Sequence, residues 1–406
     1  MNMLKEKNKV YVAPKPLPNI WIVILLGSLT AFGPLSMDMY LPGLPSVTEN
    51  FQTTASNGQL SITACLLGLA AGQLIFGPLS DIQGRRKPLL VTLILYAASS
   101  LLCAFSPNIW VFIVLRFFQG LTGAAGIVIA RASARDMYSG KELTKFIALL
   151  ALVNGAAPIL APILGGGILK WTSWEFVFMI LCAIGLIMFL SVAFSLPETL
   201  PQERRTQGNL FAILNTFKDL FKDRVFIGIA LVQSFISMSM FAYISGSPFV
   251  LQNVYGVSPQ QFSFIFALNG LGIIIAAQTT GRLADTFQEL TLLRTAMLIS
   301  FFGSCLLIGS VLWHLPLVLV LIALFLVVSS VGMVNTTCFS LGMERQGHVA
   351  GSASAFLGIL PFGGGALVSP LVGLGGENTA LLMGLVILLC SCTAILMYMT
   401  LIRKRQ

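Results

Sequence analysis

The chain has 406 residues, 56% of them hydrophobic and only 10% charged, where a soluble domain carries about a quarter charged residues. That composition excludes an ordinary soluble domain and points to an integral membrane protein. The net charge of +9 could suggest a nucleic-acid partner, but the basic residues are placed as a membrane topology would place them, and no nucleic acid is expected.

A spanning helix needs ~20 apolar residues to cross a hydrocarbon core of ~30 Å. Residues 1–19 are polar, hold four lysines and carry no cleavage site after an apolar core, so they read as a cytoplasmic tail and not as a signal peptide. Apolar runs then predict twelve spans, at about 20–40, 57–80, 88–106, 109–131, 144–169, 175–196, 225–246, 260–281, 292–312, 315–341, 350–373 and 379–401. The longest polar stretch, 197–224, divides them six and six. The expected organisation is a tail at 1–19, one six-helix half at 20–196, a cytoplasmic linker at 197–224, a second half at 225–401 and a tail at 402–406. With the N-terminus inside, 22 of the 24 Lys and Arg fall in inside segments, which by the positive-inside rule puts both termini in the cytoplasm.

The first span holds one acid, Asp38, in "AFGPLSMDMYLPGLP". It lies eighteen residues beyond Ile20, roughly 27 Å at 1.5 Å per residue, towards the outer end, with Pro42 and Pro45 following. It is either a hydrated interface acid or a working group; Met37, Met39, Tyr40 and Leu41 surround it with apolar side chains. Among the bases only Arg116 is embedded, about seven residues into the fourth span. Charges at such depth usually face a cavity and find a partner, and these two could meet across one.

After the second span comes "GPLSDIQGRRK", residues 77–87. Gly77 and Gly84 permit a tight reversal, Asp81 can accept hydrogen bonds, and Arg85, Arg86 and Lys87 hold the loop at the inner surface; a plain charged turn has the same composition. The fourth span presents Gln119, Gly120, Gly123, Ala124 and Gly126, a small-residue face for close helix packing, and ends in Arg131, Arg135 and Asp136. The fifth carries Asn154, then Pro158 and Pro162, which break backbone hydrogen bonds and let the helix bend, then Gly165, Gly166 and Gly167. The second half repeats two of these marks, "GRLAD" at 281–285 and "LPFGGG" at 360–365. It has no embedded charge and offers Gln233, Met238, Phe241, Tyr243, Asn269 and Asn335, a Met- and Phe-rich wall that suits varied amphipathic ligands. Paired halves around a midplane site are the plan of many secondary transporters.

These motifs carry a resemblance. The loop 77–87 resembles the G-x-L-x-D-R-x-G-R-R signature of the major facilitator superfamily, with Ile82 in place of the usual base. "LRFFQGLTGAAG" resembles its fourth-helix motif R-x-x-Q-G-x-G-x-A, and "APILAPILGG" its fifth-helix antiporter motif, with alanines at some of the small positions. "MDMYLPGLP" with "RASARDMY" is similar to the bicyclomycin- and chloramphenicol-resistance (Bcr/CflA) branch. The resemblance implies an all-α membrane protein of two pseudo-symmetric six-helix halves in a bacterial cytoplasmic membrane. It also implies a monomeric antiporter that exchanges small-molecule drugs for protons.

On that basis Asp38 and Arg116 are the expected proton-coupling pair. Met37, Tyr40, Leu41, Gln119, Asn154, Met238, Phe241, Tyr243, Asn269 and Asn335 are the expected substrate contacts. Gly77, Asp81, Gly84, Arg85, Arg86, Arg131, Arg135 and Asp136 are expected to gate, with Asp81 and Arg131 or Arg135 pinning the halves on the inner side when the cavity opens outward. Pro158, Pro162, Gly165 and Gly166 form the antiporter motif. No metal site or cofactor is expected: the seven cysteines lie within apolar runs, and His314 and His348 occupy different loops. An embedded enzyme or a channel does not fit, because no H-E-x-x-H, G-x-S-x-G or paired carboxylate occurs within a span. An exporter of one metabolite, such as a sugar or nucleoside, remains the alternative.

Overall fold

The computed structural model describes residues 20–138, 140–205, 222–346, 350–376 and 379–403. The expected tail 1–19, most of the linker (206–221) and the last residues 404–406 lie outside the described residues. Among those described there are helices and no strands. In chain order they are α1 (Ile20–Thr30), α2 (Phe32–Asp38), α3 (Leu44–Asn50), α4 (Ala55–Gln83), α5 (Arg86–Ala104), α6 (Ile109–Met137), α7 (Gly140–Leu169), α8 (Trp174–Ser195), α9 (Arg224–Phe249), α10 (Pro259–Leu283), α11 (Glu289–Leu312), α12 (Leu317–Arg345), α13 (Ala350–Gly373) and α14 (Leu381–Met397).

Ten of these elements are long and apolar enough to cross a membrane, and the bent unit α1–α3 makes eleven. Helix α7, whose described apolar part is Gly155–Leu169, takes the place of the fifth expected span. The order of elements follows the expected spans, α1–α8 before the stretch 197–224 and α9–α14 after it. The face that carries the α4–α5 turn and the starts of α9 and α11 is termed here the terminal face. The opposite face is the far face.

Helix starts follow from local chemistry. Thr54, Asn108 and Asp223 each accept a backbone N–H at the first turn of α4, α6 and α9. Ser258 and Gln261 form a reciprocal capping box at α10, with Pro259 in the first turn, where its missing N–H costs nothing.

The first span departs from expectation in its length. It continues to Asn50 instead of stopping near residue 40, with a bend of 42° between its two parts. Pro34 sits in the first turn of α2, where its ring excludes a bond to the Thr30 carbonyl four residues back. Pro42 enters a single 3-10 turn, Leu41–Gly43, and Pro45 the first turn of α3. These prolines therefore begin new helical segments, and Asp38 lies within the longer span and not at its end.

Within the N-terminal half α4 and α6 are in near backbone contact. A Cβ on Gly68 or Gly72 would collide with the backbone of Phe117 and Leu121, and one on Gly120 with the backbone of Cys65. Gly120→Val should therefore cost at least the ~3 kcal/mol of a severe overpacking. Gly167→Ala, with open space around it, should be near neutral. Thermal unfolding of the two purified variants in one detergent tests this; equal midpoints would refute the close-packed seam.

Candidate functional site

Arg116 is fully buried on α6, at a depth where an ion loses several kcal/mol of hydration. What replaces the water is specific. The chain breaks between α2 and the 3-10 turn, which leaves carbonyls of the last α2 turn free of intrahelical partners. One of them, Ser36 O, accepts from Arg116 Nη1 at 2.8 Å. Gln119, one turn along α6, accepts from the same nitrogen and donates to Ser100 Oγ at 2.8 Å. The guanidinium carbon stands 4.4 Å from the Tyr40 ring centroid and 5.5 Å from that of Phe178, so two π faces supply diffuse negative potential. Tyr40 is held in turn by Ser61 Oγ at 2.8 Å, and Ser36 Oγ by Tyr96 OH at 2.7 Å. Arg116 Nε and Nη2 have no hydrogen-bond partner.

Asp38 is 3% exposed, and its Oδ1 also lacks a partner. It makes no ion pair with Arg116 among the described residues. In the second half Tyr243 is buried on α9. The Tyr243 hydroxyl accepts from Asn269 Nδ2 on α10 at 2.8 Å, and its ring stacks on Phe266 at 5.5 Å.

The hydrogen bonds that join the halves across this site all lie towards the far face. Gln59 donates to Ser245 O, Gln252 to Pro42 O and Gln260 to Gly166 O, each at 3.1 Å, and Ser56 Oγ donates to Pro370 O at 3.5 Å. A Cβ on Gly165 would strike the Met39 carbonyl, and one on Gly166 the Ser263 hydroxyl. The glycines of α7 therefore let that helix close over the residue next to Asp38 and over the start of α10. Pro162 is buried and Pro158 half-buried in the same helix.

On the terminal face, Gly84 adopts φ +90°, a conformation open to glycine at little cost. The turn folds Arg85 back onto Asp81 at 2.5 Å and onto Asp136 at 2.8 Å. Asp81 is therefore paired with Arg85 of its own loop. The expected partners Arg131 and Arg135 are both exposed and make no ion pair among the described residues. Arg86 Nη2 donates to Ala193 O at 2.5 Å. Gly77 lies beside the Val128 side chain.

The remaining expected contacts divide. Met37, Tyr40, Leu41 and Gln119 are buried in the N-terminal half. Phe241 packs against Gly365 and, at 5.8 Å, against Phe362, while Met238 packs against Gly364, so the second Gly-rich segment seats α9. Asn335 has a buried Oδ1 without a partner. The side chain of Asn154 lies outside the described residues.

Sequence reasoning missed Ser36, Ser61, Tyr96, Ser100 and Phe178, whose residue types are common in any span. It also missed Glu198. This acid, directly after the sixth span, accepts from Arg85 N at 2.8 Å, Arg86 N at 3.2 Å and Leu200 N at 3.0 Å. It closes the N-terminus of α5, where partial positive charge collects.

The sequence profile of the Major Facilitator Superfamily matches residues 26–370. The MFS-type transporter YdgK of Bacillus subtilis is 45% identical over 95% of this chain and 96% of its own length. A bicyclomycin resistance protein homolog of Haemophilus influenzae is 30% identical over 93% of this chain and 94% of its own. Among solved structures, the nucleoside transporter NupG superposes with a TM-score of 0.74 at 13% identity, covering 95% of this chain and 100% of its own.

The Glu198 latch generates a pH test. Partial burial pushes its carboxyl up, but the three backbone N–H bonds and the Arg205 charge outweigh this and hold its pKa below the usual glutamate value. With the folded pKa depressed, the stabilisation is complete above ~4.3 and is lost as the pH falls through the lower folded value. Glu198→Gln should lose about 1 kcal/mol at pH 7, the usual worth of a helix-capping carboxylate, and nothing below the folded pKa. Melting curves at pH 7 and pH 3 compare the two; an equal deficit at both would remove the charge from the explanation.

Proposed function

The chain belongs to the Major Facilitator Superfamily, a transporter and not an enzyme, and from that premise we propose that it exports small amphipathic antibiotics in exchange for protons by alternating access. The observation that carries the proposal is the placement of Asp38. It is buried and incompletely bonded within the first span, and contacts between the two halves lie beside it at the far face: Gln252 on Pro42, and Gln260 and Ser263 on Gly166. Parting the halves there uncovers the carboxyl; closing them buries it. Access of protons to this one group is thereby tied to the conformational cycle.

The basic residues of the terminal face assign it to the cytoplasm by the positive-inside rule. The state described here is then closed to the outside. When the far face opens, Asp38 takes a proton from the outer medium and loses its charge, and cargo leaves. When it closes and the cavity turns inward, the proton departs and the carboxylate favours new cargo. Arg116 keeps its charge throughout, so the site alternates between a lone cation and a cation beside an anion. Inward proton movement contributes ~2.3 kcal/mol per 100 mV of membrane potential. The second half offers the buried polar groups of Tyr243, Asn269 and Asn335 among methionine and phenylalanine side chains. That wall suits lipophilic drugs better than a sugar. The name of the bicyclomycin resistance homolog points the same way.

Expressed in an efflux-deficient host, the protein should raise tolerance within a panel that includes bicyclomycin, chloramphenicol and cationic dyes. Asp38→Asn should abolish both the tolerance and drug-induced proton release from proteoliposomes while leaving binding of a neutral drug within about threefold. Full proton-coupled export by this variant would return Asp38 to a structural role. Accessibility tags at residue 1, in loop 206–208 and at residue 406 should react only from the cytoplasmic side; reaction of the loop tag in intact cells would overturn the topology.

A further inference from the structure

The terminal end of α14 leaves α-helical geometry: Tyr398–Ile402 form one π turn. Such turns widen the helix and redirect its side chains. Here Tyr398 points inward at 4% exposure against α11, while Met399, at 47%, points outward. Arg294, one turn into α11, lies over the Tyr398 ring at 5.5 Å and donates Nε to its hydroxyl. That leaves the two terminal guanidinium nitrogens of an exposed arginine free. Arg403 is exposed just beyond the π turn. Among the described residues neither arginine has an acid within ion-pair distance.

The two arginines flank a groove of about 310 Å³ between α11 and α14. Its floor is Tyr398, and its walls include Leu298, Ile395 and Met399. Leu298 is 50% exposed on a helix that faces the bilayer, so the apolar walls are continuous with the lipid-facing surface. The groove has a cationic mouth at the terminal face and an apolar course leading into the membrane. A free phosphate or nucleotide would satisfy the mouth and leave the walls bare; an acyl chain alone would leave the arginines bare. The planar forks of two arginines match the oxygens of a phosphodiester, and basic pockets between spanning helices at this level meet anionic headgroups.

We propose that this groove binds one anionic phospholipid from the leaflet on the terminal side, with its phosphodiester between Arg294 and Arg403 and an acyl chain along Leu298, Ile395 and Met399. The site is remote from Asp38 and Arg116 and does not depend on the cargo or on proton coupling.

The test uses the full chain purified in a neutral detergent. Phosphatidylglycerol or phosphatidylcholine is titrated in, bound lipid is counted by native mass spectrometry, and thermal stability is followed in parallel. Phosphatidylglycerol should be retained as a single adduct and raise the melting temperature, with phosphatidylcholine washing off. Arg294→Gln and Arg403→Gln should each weaken phosphatidylglycerol binding about fivefold, whereas the double Arg→Lys variant should keep most of it. The Lys variant separates loss of charge from loss of fold. Asp38→Asn should bind the lipid as the parent does, so failure of the transport reading leaves this result standing. Equal retention of the two lipids by the parent chain would overturn the proposal, as would undiminished phosphatidylglycerol binding by R294Q/R403Q. Stabilisation by glycerol phosphate equal to that by phosphatidylglycerol would overturn it too, by showing an anion site without a lipid.

Discussion

A guanidinium with no exposure and no carboxylate partner organises the N-terminal half. Arg116 is bonded to a backbone carbonyl and an amide, and it is covered by two aromatic faces. Each of those partners constrains something else. The Ser36 carbonyl is available only because the first span breaks after Asp38. The Tyr40 ring is in place only because the residue after the break turns inward and is anchored to Ser61 on α4. Gln119 must keep its carbonyl towards Arg116, which it does by giving its amide to Ser100 on α5. Four helices are thus positioned by one charge. Their close approach in turn requires Gly68, Gly72 and Gly120, where any Cβ would strike backbone. Removing the arginine would do more than remove a charge: it would leave the Ser36 carbonyl and the Gln119 amide oxygen buried without a donor, at about 1–3 kcal/mol each.

The same break in the first span joins architecture to the candidate site. Were α2 to run on unbroken, Asp38 would pack on a regular helix and Met39 would have no exposed carbonyl for α7 to approach. The turn at Leu41–Gly43 brings Met39 against Gly165 of its own half and Pro42 against Gln252 of the second. Asp38 therefore lies four residues from a contact that joins the two halves.

The fold was legible because the bilayer imposes a length on every span and a sign on the loops, and both are written in composition. The interior charges were legible for the same reason: in a chain with so few, Asp38 and Arg116 stand out. Other features were not. The first span is expected to end near residue 40; that Pro42 and Pro45 start new segments and carry it to Asn50 depends on a turn only the packed structure supplies. Asp81 is expected to meet Arg131 or Arg135 when the cavity opens outward; its bond to Arg85, which follows from the positive φ of Gly84, has no mark in the motif's spacing. Tyr96, Ser100 and Phe178 became visible only around the buried arginine, because a tyrosine, a serine or a phenylalanine in a span has no signature by itself.

The chemistry of the two faces differs in a way that bears on how the halves move. Among the described residues the ion pairs on the terminal face, Arg85 with Asp81 and Asp136 and Arg205 with Glu198, lie within the N-terminal half and the start of the linker, and none reaches the second half. The bonds that cross between halves at the far face are neutral, three of them glutamine amides on backbone carbonyls. A neutral hydrogen bond contributes only ~0.5–1.5 kcal/mol net, because water offers the same groups an alternative. Three such bonds amount to a few kcal/mol, the same scale as the ~2.3 kcal/mol per 100 mV that one proton would bring under the proposed exchange. Fully apolar contact would leave the register of the two halves unspecified. Neutral amide–carbonyl pairs supply register at an energy that the proposed protonation of Asp38 could match.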